Sequence, residues 1–311
     1  MLSVSVIICT RKPREVYLRR VLEALRNQTL PKERWELLVL SVAADGPLSG
    51  TFELSWHPHA RFVLVERIGK TNAFLQAISE SEGGLLAIVD DDNVLRADYL
   101  KASLKISEQY PSLGAWGGSC LPEFEVPPSP ELEPWLSGLV TEKLTNSYWA
   151  KIRSAGEAMP PGAGMVVRRP VAERYRQLVL KDPLRQGLGP NGEPGNAGED
   201  DDLALCGFDM GLGTGRFPEL ELTHLIPARK LTLTYFEKLY DAFAYAGVIL
   251  GAIHGKAEPF PGRLKIGAFR LFLMTCYLLI SRKSRVERRI RLAMERGKMR
   301  AEKDLIRIGR H

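Results

Sequence analysis

Asp90-Asp91-Asp92 ends a short apolar run, Leu85 to Val89, with three adjacent carboxylates. Such neighbours repel one another unless something positive sits among them. Asp90 and Asp92 project to the same side of an extended backbone, so together they could hold one divalent ion through oxygen ligands. The competing reading is an acidic turn before a helix N-terminus, where Asp is also favoured. A second acidic cluster, Glu199-Asp200-Asp201-Asp202, precedes Leu203-Ala204-Leu205. Alone it reads as the first turn of a helix, stabilised by the dipole. Two such clusters, each at the edge of a predicted element, supply the carboxylates that metal-assisted and acid–base chemistry require.

The elements around them alternate. Val4 to Cys9 is rich in β-branched residues and predicts a strand. Arg14 to Asn27, with Val16, Leu18, Val21, Leu22 and Leu25, predicts a helix packed on a sheet. Strands follow at Trp35–Val42 and Arg61–Glu66, a helix at Lys70–Ser79, then the apolar run that ends at the triplet. This order predicts a parallel-dominated sheet covered by helices, with the carboxylates at the C-terminal edge where open α/β folds bind ligands. Further on come a helix over Arg96–Gln109, a strand over Leu113–Ser119 and a proline-rich loop over Leu121–Pro134. Trp135–Ala150 is mixed, with a helix as one option, and Met165–Val167 is strand-like. Lys181–Gly198, rich in glycine and proline, predicts a mobile loop or lid. Glu219–Ile226 reads as a strand with His224 near its end, and Leu231–His254 as an apolar helix.

Charge is unevenly spread. The net is +6, but Arg263 to His311 holds 15 Lys or Arg against 4 Asp or Glu, so that segment carries +11 and the remainder −5. A basic appendage on an acidic body suggests surface binding, to membrane rather than nucleic acid. Tyr and Phe are not interleaved in the last 30 residues, so stacking platforms for nucleic acid are missing. Leu264–Ile280 is apolar but interrupted by Lys265 and Arg270. Its longest uncharged run, Leu271–Ser281, is too short to span a bilayer. With its basic flank it reads either as an interfacial helix or as a core-packed helix with a solvated tail. Four scattered cysteines and the lack of a Cys-x-x-Cys pair argue against a zinc site or disulfide framework and fit a reducing compartment. No signal peptide is expected.

Five motifs in order resemble those of the family 2 glycosyltransferases, inverting enzymes of GT-A fold. They are Val4-Ser5-Val6-Ile7-Ile8-Cys9-Thr10, Gly69-Lys70-Thr71-Asn72-Ala73, Val89-Asp90-Asp91-Asp92 as D-x-D, Gly162 to Arg169, and Gly198-Glu199-Asp200-Asp201-Asp202-Leu203 as the E-D motif. The resemblance covers roughly residues 3–230. It implies a GT-A domain over 1–230, Rossmann-like with a mostly parallel sheet and flanking helices, followed by a basic, amphipathic helical region over 231–311. It also implies roles. Asp90 and Asp92 would hold Mn²⁺ or Mg²⁺ against a nucleoside-diphosphate sugar, with a UDP-sugar favoured, and His224 would be a third metal ligand. A lone His is otherwise more often structural. Asp91 would face the ribose or donor sugar, and Thr10, Arg11, Lys70 and Asn72 would line the same site. Asp200 would be the general base, with Glu199 beside it and Asp202 structural, capping the helix. The acceptor would be a saccharide or lipid-linked saccharide, in cell-surface polysaccharide or glycolipid synthesis. The enzyme would sit in the cytoplasm, peripheral on the inner face of the plasma membrane.

Two departures qualify the match. The family's Asp straight after the second strand is missing from Ser41-Val42-Ala43-Ala44, and Asp45, the candidate for the nucleotide base, comes late. No Gln-x-x-Arg-Trp follows the E-D cluster; Arg229 and Lys230 lie there instead, which points to single addition rather than processive synthesis. Two other classes share parts of this pattern. A nucleotidyltransferase would favour a glycine in the basic loop Thr10-Arg11-Lys12-Pro13-Arg14, which has none. A non-catalytic nucleotide- or partner-binding module would not need the intact Glu199-Asp200 pair.

Overall fold

The computed structural model describes residues 2–153, 156–190, 196–255 and 283–309. Its centre is a mixed sheet of nine strands among the described residues, in the order β3-β2-β1-β4-β8-β6-β9-β5, with β7 added on β9. β1 (Val4–Thr10), β2 (Trp35–Val42), β3 (Ala60–Val65) and β4 (Leu85–Ile88) form one parallel half. In the other half β8 (Val166–Arg168) runs antiparallel between β4 and β6 (Leu113–Phe124). β6 pairs in parallel with the long β9 (Gly213–Ile226). β5 (Asn93–Leu95) and β7 (Tyr148–Ala150) both run antiparallel to β9.

The period of two in β1 and β2 builds both faces. Val4, Val6, Ile8, Leu37 and Val39 enter one core with α1 (Glu15–Arg26), while Ile7, Leu38 and Leu40 enter the other with α2 (Lys70–Glu80). α1 buries Leu18, Val21, Leu22 and Leu25 as its spacing predicts; Val16, counted with them in the sequence, is 67% exposed because it falls off that stripe. α3 (Tyr99–Gln109) starts three residues later than the sequence pattern suggests. Arg96 before it instead grips Asp98 and the Glu219 carbonyl.

Residues 135–150 hold no α-helix: a 3₁₀ turn over Glu133–Leu139 is followed by irregular chain and β7. β8 leads directly into α4 (Arg169–Val179). The glycine-rich connection then contains a one-turn helix, α5 (Pro183–Gln186), and residues 191–195 of the expected lid lie outside the described residues. α6 (Glu199–Cys206) carries all four acids in its first turn.

α7 (Leu233–Ile253) is capped by Thr232, whose hydroxyl accepts from the Tyr235 N–H. It packs against α8 (Arg285–Ile308), which buries Val286, Ile290, Ala293, Ala301 and Leu305. Gly297 is the point of closest approach: a Cβ there would run into the Asp241 carbonyl. Ion pairs Arg289–Glu237 (2.6 Å) and Arg300–Asp241 (2.6 Å) flank the crossing. The interfacial stretch read at Leu264–Ile280 falls within 256–282, outside the described residues. Among the described residues no helix is long and apolar enough to cross a membrane.

Candidate active site

β4 stops at Ile88, and the acidic triplet turns off its C-terminal end. The turn is fixed locally, because the Asn93 N–H donates to the Asp90 carbonyl and the Asp90 N–H reaches the Asn93 side chain (3.2 Å). The three carboxylates diverge. Asp91 accepts from the Thr10 hydroxyl at the end of β1. Asp90 Oδ1 meets Lys70 Nζ at 2.9 Å, from the first turn of α2. Asp92 Oδ2 meets Lys230 Nζ at 2.7 Å and faces His224 Nε2 at 3.6 Å. His224 stands there because β5 and β9 pair antiparallel with Asn93 opposite His224, and the Leu225 N–H donates to the Asp92 carbonyl.

Lys70 joins the two acidic clusters. Its ammonium also lies 3.6 Å from Glu199 Oε1 at the start of α6. Gly198, just before Glu199, has φ +97°, and a Cβ there would press on Ala246 of α7. Glycine is therefore needed both for the turn and for the helix packed behind it. Gly162, from the small-residue loop before β8, lies under Asp200, and any side chain at 162 would collide with that carboxylate. These groups line a cavity of about 810 Å³. One wall is Thr10, Arg11, Ser41 and Lys70, the floor is Gly162, Glu199 and Asp200, and α7 forms the far side. That far side is an apolar stripe at helical spacing: Leu239, Ala242, Phe243, Ala246 and Leu250.

Burial and charge set the protonation states. Burial opposes ionisation of Asp92, but the neighbouring His224 imidazole and the Lys230 charge win and hold it well below the usual carboxylate range. Asp91 goes the other way, pushed up to about 6 by burial against the Thr10 hydrogen bond, with Asp92 and Asp90 adding repulsion. Burial also raises Glu199 to about 7, against the pull of Lys70 and with the push of Asp200. Asp201 rises to about 8 for the same two reasons, burial first and then Asp200. Burial disfavours the ammonium of Lys70, yet Asp90 and Glu199 keep its pKa well above the ordinary lysine value.

The structure therefore gathers Thr10, Arg11, Lys70, Asp90, Asp91, Asp92, Glu199, Asp200 and His224 around one end of the sheet. Asp45 is at the rim, paired with Arg11 (2.9 Å) and Lys12 (3.4 Å). Asn72 turns back along its own helix to the Ile68 carbonyl (2.8 Å). Asp202 makes no capping bond; fully buried, its Oδ1 is held by Arg185 (2.5 Å) and His254 (2.7 Å). Sequence reasoning missed two side chains. Lys230 was noted only as lying where another motif would be. Ser41, near the end of β2, lines the cavity and has a buried hydroxyl with no partner among the described residues.

Among the described residues no three His, Cys, Asp or Glu side chains converge on a single metal position. Asp92 and His224 do converge, and the buried His224 Nδ1 has no partner among the described residues. A carboxylate oxygen beside an imidazole suits Mn²⁺ or Mg²⁺, which are usually held by one or two carboxylates with substrate phosphates completing the shell. Asp92 and His224 fit such an ion, whereas Asp90, which the sequence places on the same side as Asp92, turns away to Lys70 because that ammonium offers it a counter-charge.

A family model described as Glycosyl transferase family 2 matches residues 5–175. Two N-acetylglucosaminyltransferases are similar in sequence. That of Sinorhizobium fredii (strain NBRC 101917 / NGR234) is 30% identical over 175 residues, 55% of this chain and 39% of the relative. That of Mesorhizobium japonicum (strain LMG 29417 / CECT 9101 / MAFF 303099) is 29% identical over 180 residues, 56% of this chain and 39% of the relative. The matched stretch is thus well under half the length of these curated relatives. Two solved structures share the fold. S. aureus TarS 1-349 in complex with UDP-GlcNAc has a TM-score of 0.54 at 12% identity, covering 100% of this chain and 93% of that one. Mannosyltransferase PcManGT from Pyrobaculum calidifontis, in complex with GDP-Man and Mn²⁺, has a TM-score of 0.58 at 17% identity, covering 97% and 87%.

Proposed function

The chain belongs to glycosyl transferase family 2, and from that premise we propose that this glycosyltransferase moves a sugar from a UDP-sugar, with UDP-GlcNAc first in line, to an acceptor hydroxyl in one inverting step. The observation that carries the reading is Lys70, one ammonium in reach of both Asp90 and Glu199. It supports a reading in which the diphosphate end and the acceptor end of a transfer reaction lie on either side of one charge. The donor choice rests on the N-acetylglucosaminyltransferase relatives and on the UDP-GlcNAc held by TarS.

The residues divide the work. Ser41 and Asp45 are near enough to the end of β2 to meet the nucleotide base, and the unpaired Ser41 hydroxyl can accept or donate there. Asp91, fixed by Thr10, faces the ribose, and Arg11 and Lys70 supply positive charge to the diphosphate. A divalent metal, when bound by Asp92 and His224, would neutralise charge on the departing nucleoside diphosphate. Asp200 takes the proton from the acceptor hydroxyl on the face opposite the leaving group, backed by Gly162 so that its carboxylate stays in place. Glu199 tunes that end of the cavity and answers the Lys70 charge.

The acceptor is read from the α7 wall. Leu239, Phe243 and Leu250 present an apolar surface beside Asp200, which suits a saccharide carried on an apolar group, a lipid-linked acceptor. The basic segment beyond it supports a place at an anionic membrane face. The enzyme adds one sugar per encounter.

The test is a thermal-shift panel of UDP, GDP and their sugars with and without Mn²⁺, alongside transfer assays on Asp200→Asn. A bound nucleotide raises the melting temperature by mass action. The expected result is a Mn²⁺-dependent UDP shift that survives in Asp200→Asn while transfer falls by about 10²–10⁴-fold, the usual worth of a general base. No nucleotide shift under any condition would end the reading.

A further inference from the structure

Asp92 Oδ2 has two basic neighbours. His224 faces it at 3.6 Å from β9, and Lys230 touches it at 2.7 Å from the 3₁₀ turn Ala228–Lys230. That turn links β9, which carries His224, to α7, which walls the cavity. Lys230 is not a loose surface group: its side chain is 17% exposed, and the charge of Asp92 outweighs burial to raise its pKa. Its ammonium and the His224 imidazole face the same oxygen of Asp92, and the other oxygen, Oδ1, already accepts from the Asn93 side chain at 3.1 Å. A divalent cation on that oxygen shared by Lys230 and His224 would stand close to the Lys230 ammonium, and two positive charges at contact distance repel. Metal entry therefore requires the ammonium to move, which the flexible four-carbon stem of lysine permits.

Where it moves is set by charge. Arg229, the adjacent residue, already lines the cavity. On the reading that the cavity takes a nucleoside diphosphate sugar, the diphosphate is the new anion that arrives there. We propose that Lys230 is a positioning residue that holds Asp92 until the metal displaces it and then pairs with the donor diphosphate, so that metal and donor bind cooperatively. Metal alone has to evict Lys230 without offering it another partner. Metal arriving with a diphosphate offers one. The coupling is reciprocal, as linkage requires.

The experiment uses the full chain and the variant Lys230→Met, which keeps the length and apolar stem of lysine and removes the charge. Mn²⁺ affinity is measured by calorimetry without nucleotide, and UDP affinity at saturating Mn²⁺, with melting temperature and circular dichroism as a check on folding. Mn²⁺ alone should bind about tenfold tighter in Lys230→Met and UDP about tenfold weaker, a change within the range usual for coupled sites. A purely structural ion pair would not tighten metal binding when broken. Unchanged or weaker Mn²⁺ affinity in a folded variant therefore overturns the competition. Tighter Mn²⁺ with unchanged UDP overturns the transfer to the diphosphate. If the wild type binds Mn²⁺ but no UDP or GDP, the donor reading fails, and with it the second half of the proposal, while the metal titration still decides the first. Should Lys230→Met fail to fold, Lys230→Gln is measured in its place with the same expectations.

Discussion

At Glu199 burial and charge pull in opposite directions, and burial wins. Its carboxyl is raised to about 7 in the folded chain from an ordinary 4.5. The folded state therefore binds more protons than the unfolded state between about pH 4.5 and about 7. Stability from this group is full below that window and is lost as pH rises through it. Glu199→Gln removes the slope. Measured without nucleotide or metal, the variant's melting temperature should gain on the wild type by several degrees between pH 4.5 and 7.5, about 2–4 °C for each kcal/mol. Parallel curves would show that Lys70 already satisfies the ionised form. Residues of this kind were visible in the sequence because carboxylates crowd into two short clusters, and crowding itself signals chemistry. Lys230 was not visible, since it meets Asp92 across 138 residues and no local pattern announces it. Ser41 was hidden for another reason: its importance lies in what it fails to bond, which only the packed structure reveals.

Among the elements, α5, α6 and α7 meet at one buried carboxylate. Asp202 on α6 holds Arg185 of α5 and His254 at the end of α7, and its second oxygen has no partner among the described residues. The junction fixes the helix that carries Glu199 and Asp200 against the helix that walls the cavity. Asp202→Asn leaves the buried Arg185 only the more distant Asp182, at 3.9 Å, as counter-charge, and breaking a buried pair typically costs about 3–5 kcal/mol. The melting temperature should fall by about 10 °C at 2–4 °C per kcal/mol, read by calorimetry; a fall of only a degree or so would mean water and Asp182 satisfy Arg185 instead. The helices themselves were largely legible, because 3.6-residue spacing marks α1, α2, α3 and α7. The strands β6, β8 and β9 were legible too, but their pairing was not. β7 is three residues long, and β6 pairs with β9 through register shifts at Leu113/Ala115 and Gly118/Ser119. Periodicity says which face a strand buries; it does not name its neighbour.

At the scale of the whole molecule the acidic body and basic C-terminal segment are partly neutralised by each other. Arg289 and Arg300 of α8 pair with Glu237 and Asp241 of α7, while Arg285, Arg296, Lys303 and Arg307 remain exposed. The exposed set is what an anionic bilayer would meet. Vesicles containing phosphatidylserine should pull the protein down in a flotation assay at low ionic strength. Replacing those four residues by Gln, or raising salt past the point where the Debye length falls to about 3 Å, should release it. Retention under both changes would assign any membrane contact to apolar surface instead.

The antiparallel register that sets His224 opposite Asn93 also dates the birth of the activity. Strands that pair over such long sequence distances are late events in folding. The acidic triplet leaves the ribosome early, at residues 90–92, but His224, Lys230 and Asp200 on α6 all follow residue 198. At about 5–20 residues per second, a nascent chain spends several seconds with a carboxylate site that has no partner strand. During that interval Asp92 has neither the His224 imidazole nor the Lys230 ammonium beside it.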